Sequence, residues 1–124
     1  KYLLFENLLQ GLLLTDKHNR ITFANKMVYQ LLGIENDYLL GKPIENLLSK
    51  TSKWQQLSDI QRSLLNQTFS YKAQFFVSLG KLVWLNINIH PHYEKNELIG
   101  NVIHIQDITK EQQTAIENKA LTRD

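Results

Sequence analysis

The chain has 124 residues, about the length of one domain, and its 43% hydrophobic and 21% charged content is ordinary for a soluble globular fold. A net charge of +2, with Lys and Arg scattered, leaves no nucleic-acid footprint, and the lack of cysteine excludes disulfides, thiolate metal sites and cysteine nucleophiles. No apolar run approaches the roughly 18 residues of a membrane span, and no signal-peptide pattern is present.

Tyr2 to Gln10 carries Leu3, Leu4, Leu8 and Leu9 near one face, which predicts a short N-terminal flanking helix over residues 1–10, ended by Gly11. Leu12 to Asp16 and Ile21 to Ala24 read as two strands. The turn Lys17-His18-Asn19-Arg20 joins them, with Asn19 suited to a left-handed conformation. Asn25 is placed to cap a helix running to Leu32 and stopped by Gly33. Glu35 to Leu40 predicts one or two helical turns closed by Gly41, and Pro43 starts a short helix, Ile44 to Ser49.

Ser52 to Asn66 repeats Trp54, Leu57, Ile60, Leu64 and Leu65 at helical spacing, the longest such pattern inside the chain. Three strands follow, at Phe69 to Ser78, Leu82 to Tyr93 and Glu97 to Thr109, with connections of hairpin length at Ser78-Leu79-Gly80-Lys81 and Glu94-Lys95-Asn96. After Asp107-Ile108-Thr109 the sequence turns polar and helix-favouring at Lys110-Glu111-Gln112-Gln113. Asp and Thr there are both able to cap the first amides of an exit helix. The order β-β-α-α-α-α-β-β-β predicts an α+β fold: a five-stranded antiparallel sheet with helices on one face and an exit helix after the last strand.

Several motifs fall in one register. They are Gly11-Leu-Leu-Leu-Thr-Asp16, Arg20-Ile-Thr-Phe-Ala-Asn25, Leu31-Leu32-Gly33, Leu39-Leu40-Gly41-Lys42, Trp84, Gly100 and the closing Asp107-Ile108-Thr109. In this order the chain resembles PAS domains, the sensory boxes of bacterial signalling proteins. The resemblance implies a PAS domain over residues 11–109 and a signalling linker helix over 110–124, leading to an output domain outside this sequence. It also implies that Asp107, Ile108 and Thr109 transmit the signal. Chain ends without an initiating Met or a helix stop fit a domain cut from a longer protein.

Alternation places Leu85, Ile87 and Ile89 on one face of the fourth strand and Trp84, Asn86, Asn88 and His90 on the other. Ile103, Ile105 and Asn101 form the matching inner row of the fifth strand, opposite Val102, His104 and Gln106. Tyr71, Ala73, Phe75 and Val77 form that of the third. The expected pocket lining is Leu13, Thr15, Ile44, Leu47, Trp54, Leu57, Ile60, Phe75, Leu85, Ile87, Ile103 and Ile105. These residues either fill a plain core or line a cavity for a small apolar ligand such as a fatty acid or an aromatic metabolite.

The resemblance also bears on cofactors. Flavin photosensors of this superfamily need a cysteine where Ile44 stands, and they present Asn and Gln to the flavin where Phe75, Leu85 and Ile105 stand. Haem-binding members take an axial His from the long helix, and Ser52 to Asn66 has none. The expectation is therefore no haem, no flavin and no metal. A citrate-like anion would need inward Arg or Lys, which the inner rows lack.

His90-Pro91-His92 has a metal-compatible i, i+2 spacing but no third ligand, so a strand end is expected there. His104 and Trp84 are expected in outer-face packing. There are no paired carboxylates, nucleophile elbow, phosphate loop or HExxH, so the segment is expected to be non-catalytic. Ala120-Leu121-Thr122-Arg123-Asp124 resembles the approach to GGDEF-type diguanylate cyclases, which makes a cyclase the expected output. A histidine kinase is the alternative, and a purely structural dimerisation module with no ligand the second. A cytoplasmic homodimer is expected, formed through the N-terminal helix, the outer sheet face and the exit helix (Ala115 and Ile116 among the contacts), with no nucleic acid and no membrane contact.

Overall fold

The computed structural model describes residues 10–57, 66–77 and 80–121. The strands are β1 (Gly11–Thr15), a short apolar run, β2 (Ile21–Ala24), and β3 (Phe69–Val77), β4 (Lys81–Glu94) and β5 (Glu97–Asp107), in which buried residues alternate over much of the length. They form one antiparallel sheet in the order β2-β1-β5-β4-β3. Helices α1 (Lys26–Leu32) and α2 (Ile44–Leu48) and a 3-10 turn at Trp54–Gln56 separate β2 from β3, and α3 (Thr109–Leu121) leaves the end of β5. Strand ends differ from the sequence expectation by no more than two residues. The predicted flanking helix over residues 1–10 falls almost wholly outside the described residues.

Local chemistry accounts for the turns. Asp16 Oδ1 accepts the amides of His18 (2.9 Å) and Arg20 (3.0 Å), and Asn19 takes the left-handed conformation with φ 62°. Lys95 and Asn96 both have positive φ (50° and 65°), the pattern of a type I′ turn, whose twist matches the flanking strands. Asn25 caps α1 through Val28 N (3.2 Å), as its position predicted. It also binds β1, accepting from Leu12 N (3.0 Å) and donating to Gln10 O (2.9 Å). One fully buried amide thus fixes the angle between helix and sheet, a role its local sequence does not announce.

Two helical expectations fail. Glu35 to Leu40 is a succession of hydrogen-bonded turns, because Asp37 adopts φ 64° and interrupts any helix. Ser52 does not begin a continuous helix: only Trp54–Gln56 winds, as 3-10, and Leu57 is extended at φ −69°, ψ 141°. The reason lies on β3, a strand with a free edge. Thr51 bridges to Phe75, Ser52 N–H donates to Gln74 O (2.9 Å), and Gln74 N–H donates back to Ser52 Oγ (2.9 Å). The segment is thus tied to that edge by sheet-type bonds, and the extended Leu57 ends its single 3-10 turn. The rest of the predicted helix, 58–65, lies outside the described residues.

Candidate functional site

The inner sheet face and the helices above it form one continuous apolar interior. Leu13, Ile44, Leu85, Ile87, Ile103 and Ile105 are each at most 1% exposed, and Thr15, Leu47, Trp54 and Phe75 are buried with them. Alternation thus assigned the faces of β3, β4 and β5 correctly. Leu57 sits at the margin, half-buried against the core, and Ile60 lies outside the described residues. Thr15 is not a free lining residue. Its Oγ1 accepts from Asn101 N–H at 3.1 Å and so ties the end of β1 to β5.

Beside this interior lies a polar knot that single-strand periodicity missed. Asn101, 3% exposed, donates from Nδ2 to Asn19 Oδ1 (2.8 Å) and to Asn66 Oδ1 (2.9 Å). Both amide hydrogens are thereby used, while Asn101 Oδ1 is buried with no hydrogen-bond partner. A buried acceptor left unpaired costs about 1–3 kcal/mol, so this carbonyl is a chemically unsettled atom of the interior. The clue in the sequence was an Asn in a row otherwise made of Ile.

At the opposite edge, Tyr71 OH lies 3.2 Å from Thr51 Oγ1, which itself donates to Leu48 O at 2.7 Å. Since the threonine's single hydrogen is spent on Leu48, the phenol must be the donor. The Tyr71 ring lies 6.5 Å from Trp54 and stacks at 6.1 Å on Phe69. Burial pushes its pKa up to about 12. A phenol whose folded pKa exceeds the ordinary value of about 10 contributes stability below pH 10 that is lost as pH rises toward 12. Tyr71→Phe should therefore cost about 1 kcal/mol at pH 8. Between pH 10 and 12 wild type should lose about 2–3 kcal/mol relative to the variant, so the order of stability reverses. Urea unfolding of both proteins at pH 8 and pH 11.5 checks this, and an order that does not reverse refutes it.

The outer face is different in character. His90 and His104 meet edge-on, ring centroids 6.2 Å apart, a diagonal cross-strand pair that sequence reading had not joined. Burial, and secondarily the charge His90 would carry, lowers the His104 pKa below its usual value. His92 instead lies 3.4 Å from Glu94. Among the described residues no group of three or more His, Cys, Asp or Glu is arranged to hold a metal.

The strand–helix junction is the most structured polar feature outside the core. Ile108 N–H donates to Trp84 O (2.9 Å), and Trp84 N–H donates to Thr109 Oγ1 (2.9 Å). Thr109 in turn donates to Asp107 Oδ1 twice, from its amide (2.9 Å) and from its hydroxyl (2.6 Å). Gln112 N–H then closes the first helical bond on Ile108 O (2.9 Å). The three residues expected to transmit a signal are thus one hydrogen-bonded unit that locks the start of α3 to β4. α3 itself is polar, with Ile116 58% exposed and no broad apolar stripe.

This sheet order, a helix-covered inner face and a capped exit helix define a sensory α+β module. The family described as PAS fold matches residues 5–113, and the chain belongs to that family, whose members are non-catalytic sensory modules. It is 25% identical over 114 residues to the sensor histidine kinase TmoS of Ectopseudomonas mendocina, an alignment covering 88% of this chain but 12% of that protein. The PAS domain of BvgS from Bordetella pertussis superimposes with TM-score 0.64 at 17% identity, covering 98% of this chain and 94% of that one. A LOV protein from Rhodobacter sphaeroides gives TM-score 0.68 at 15% identity, covering 86% and 63%. At such identities these structures establish the fold. Among the described residues no helix is long and apolar enough to cross a membrane.

Proposed function

We propose that this PAS module senses a small, mostly apolar ligand in the cytoplasm and controls a histidine kinase output through α3. The observation that carries the reading is the junction, where Asp107, Thr109 and the Trp84 backbone couple the pocket-lining sheet to the helix that leaves it. The kinase rather than the cyclase is favoured by the relative, a sensor histidine kinase. The cyclase reading retains only the five residues Ala120 to Asp124. Autophosphorylation of the full-length parent from ATP tests the output, and cyclic dinucleotide synthesis from GTP without phosphorylation would overturn it.

Apolar Ile44, Phe75, Leu85 and Ile105 at the flavin-facing positions argue for a colourless protein. A flavin's polar edge would lie there without partners. An absorbance band between roughly 350 and 450 nm surviving desalting would refute this. A true ligand at 100 times its Kd should stabilise the domain by about 2.7 kcal/mol in a thermal-shift screen of fatty acids and aromatic metabolites. A second copy is the proposed partner, favoured by the exposed cross-strand pair Phe76 and Leu82 on the outer face and by Ile116 on α3.

A further inference from the structure

The interior treats its polar groups unequally. Among the described residues the buried polar side chains are Thr15, Asn25, Thr51 and Asn101, and none is charged. Thr15 accepts from Asn101 N–H, Asn25 bridges β1 and α1, and Thr51 links Leu48 to Tyr71. Of these four, only Asn101 keeps a side-chain oxygen, Oδ1, without a partner. Its orientation is constrained, because Nδ2 is committed to Asn19 and Asn66 and the carbonyl must point away from both. Two residues along the same inner row stands Ile103, paired with Leu13 on one side and Ile89 on the other, all at most 1% exposed. A single acceptor therefore sits at the border of an apolar floor.

We infer that Asn101 Oδ1 is the polar anchor of the interior site, accepting a hydrogen bond from the hydroxyl or aromatic-amine N–H of a small, neutral, otherwise apolar ligand. The inference rests on the pocket reading above and narrows its ligand class. Neutrality follows because a charged ligand would lose its hydration with no buried counterion to replace it. One acceptor calls for one donor, which separates an alcohol, phenol or aromatic amine from a bare hydrocarbon, and separates both from a carboxylate.

The test uses two probes of matching shape, benzyl alcohol and ethylbenzene, titrated into the 124-residue chain and followed by the Asn101 side-chain amide resonances. Desolvation alone favours ethylbenzene. The anchor predicts that benzyl alcohol binds at least about tenfold more tightly and shifts the Asn101 amide pair, and that ethylbenzene does not shift it. Asn101→Leu should erase that preference. If the variant fails to fold, the wild-type titration still decides. Equal binding, a preference for ethylbenzene, or an alcohol that binds without moving Asn101 would overturn the anchor and leave the apolar pocket standing. Binding of neither probe would overturn both, with a buried water as the partner of Oδ1.

Discussion

Replacing Gly100 by alanine should cost at least about 3 kcal/mol, a magnitude reached only by specific steric or burial defects. In a domain of this size that is a fall in Tm of roughly 10–20 °C. Gly100 lies buried on β5 opposite His92. A Cβ there would stand 1.8 Å from Thr15 O and 2.7 Å from Thr15 C, both main-chain atoms that cannot swing aside. To admit a methyl, the end of β1 must lift from β5. That movement breaks Asn101 N–H to Thr15 Oγ1 and drags Asn19 away from Asn101 Nδ2. Gly41→Ala is the control: φ is +79° and nothing lies within 4 Å of the added Cβ. It should lose only about 1 kcal/mol from backbone strain. Denaturant unfolding of the two variants measures the contrast, and a Gly100→Ala loss below about 1 kcal/mol would show that the strands separate freely.

The role of Gly100 shows where sequence reading stops. The strands and their faces were legible because burial imposes a period of two on each strand independently, as in Leu85, Ile87 and Ile89. Asn25 as a cap and Gly33 as a stop were legible because capping is local, and Gly33 indeed has φ 66°. The crowding at Gly100 depends on Thr15, far away in sequence. Likewise the Asn101 knot joins residues separated by 82 and 35 positions. No window of a dozen residues contains such contacts. Ser52 misled for the same reason: Trp54 and Leu57 keep helical spacing, but Ser52 is tied to Gln74 on β3 and the chain is extended again at Leu57. The interior candidates were recognisable as apolar, yet only three-dimensional pairing revealed that Thr15 Oγ1 accepts from Asn101 N–H and that Asn101 Oδ1 has no partner.

The second large effect concerns regulation and not stability. β5 is paired on both sides, to β1 and β4, and carries Asn101, Ile103 and Ile105 into the interior before ending at Asp107. If a ligand displaced those side chains, the shift would arise within a few residues of α3 along the same strand. In the proposed route Asp107 would convert that strand position into a helix direction. By holding both the amide and the hydroxyl of Thr109, it keeps Thr109 Oγ1 turned to accept from Trp84 N–H. Asp107 is itself exposed, so its removal leaves no buried group stranded. Asp107→Ala should accordingly cost the roughly 0.5–2 kcal/mol of a lost helix cap, and the domain should stay folded at 25 °C. In the full-length protein the basal output should persist, while the response to ligand should vanish. Without the carboxylate the Thr109 hydroxyl rotates freely, and the exit angle of α3 no longer follows β5. Thr109→Val, which removes the same relay from its other end, should reproduce the phenotype. Output activity with and without ligand, alongside melting curves of both variants, decides the matter. Normal regulation in either variant would mean that the signal leaves the sheet by another route.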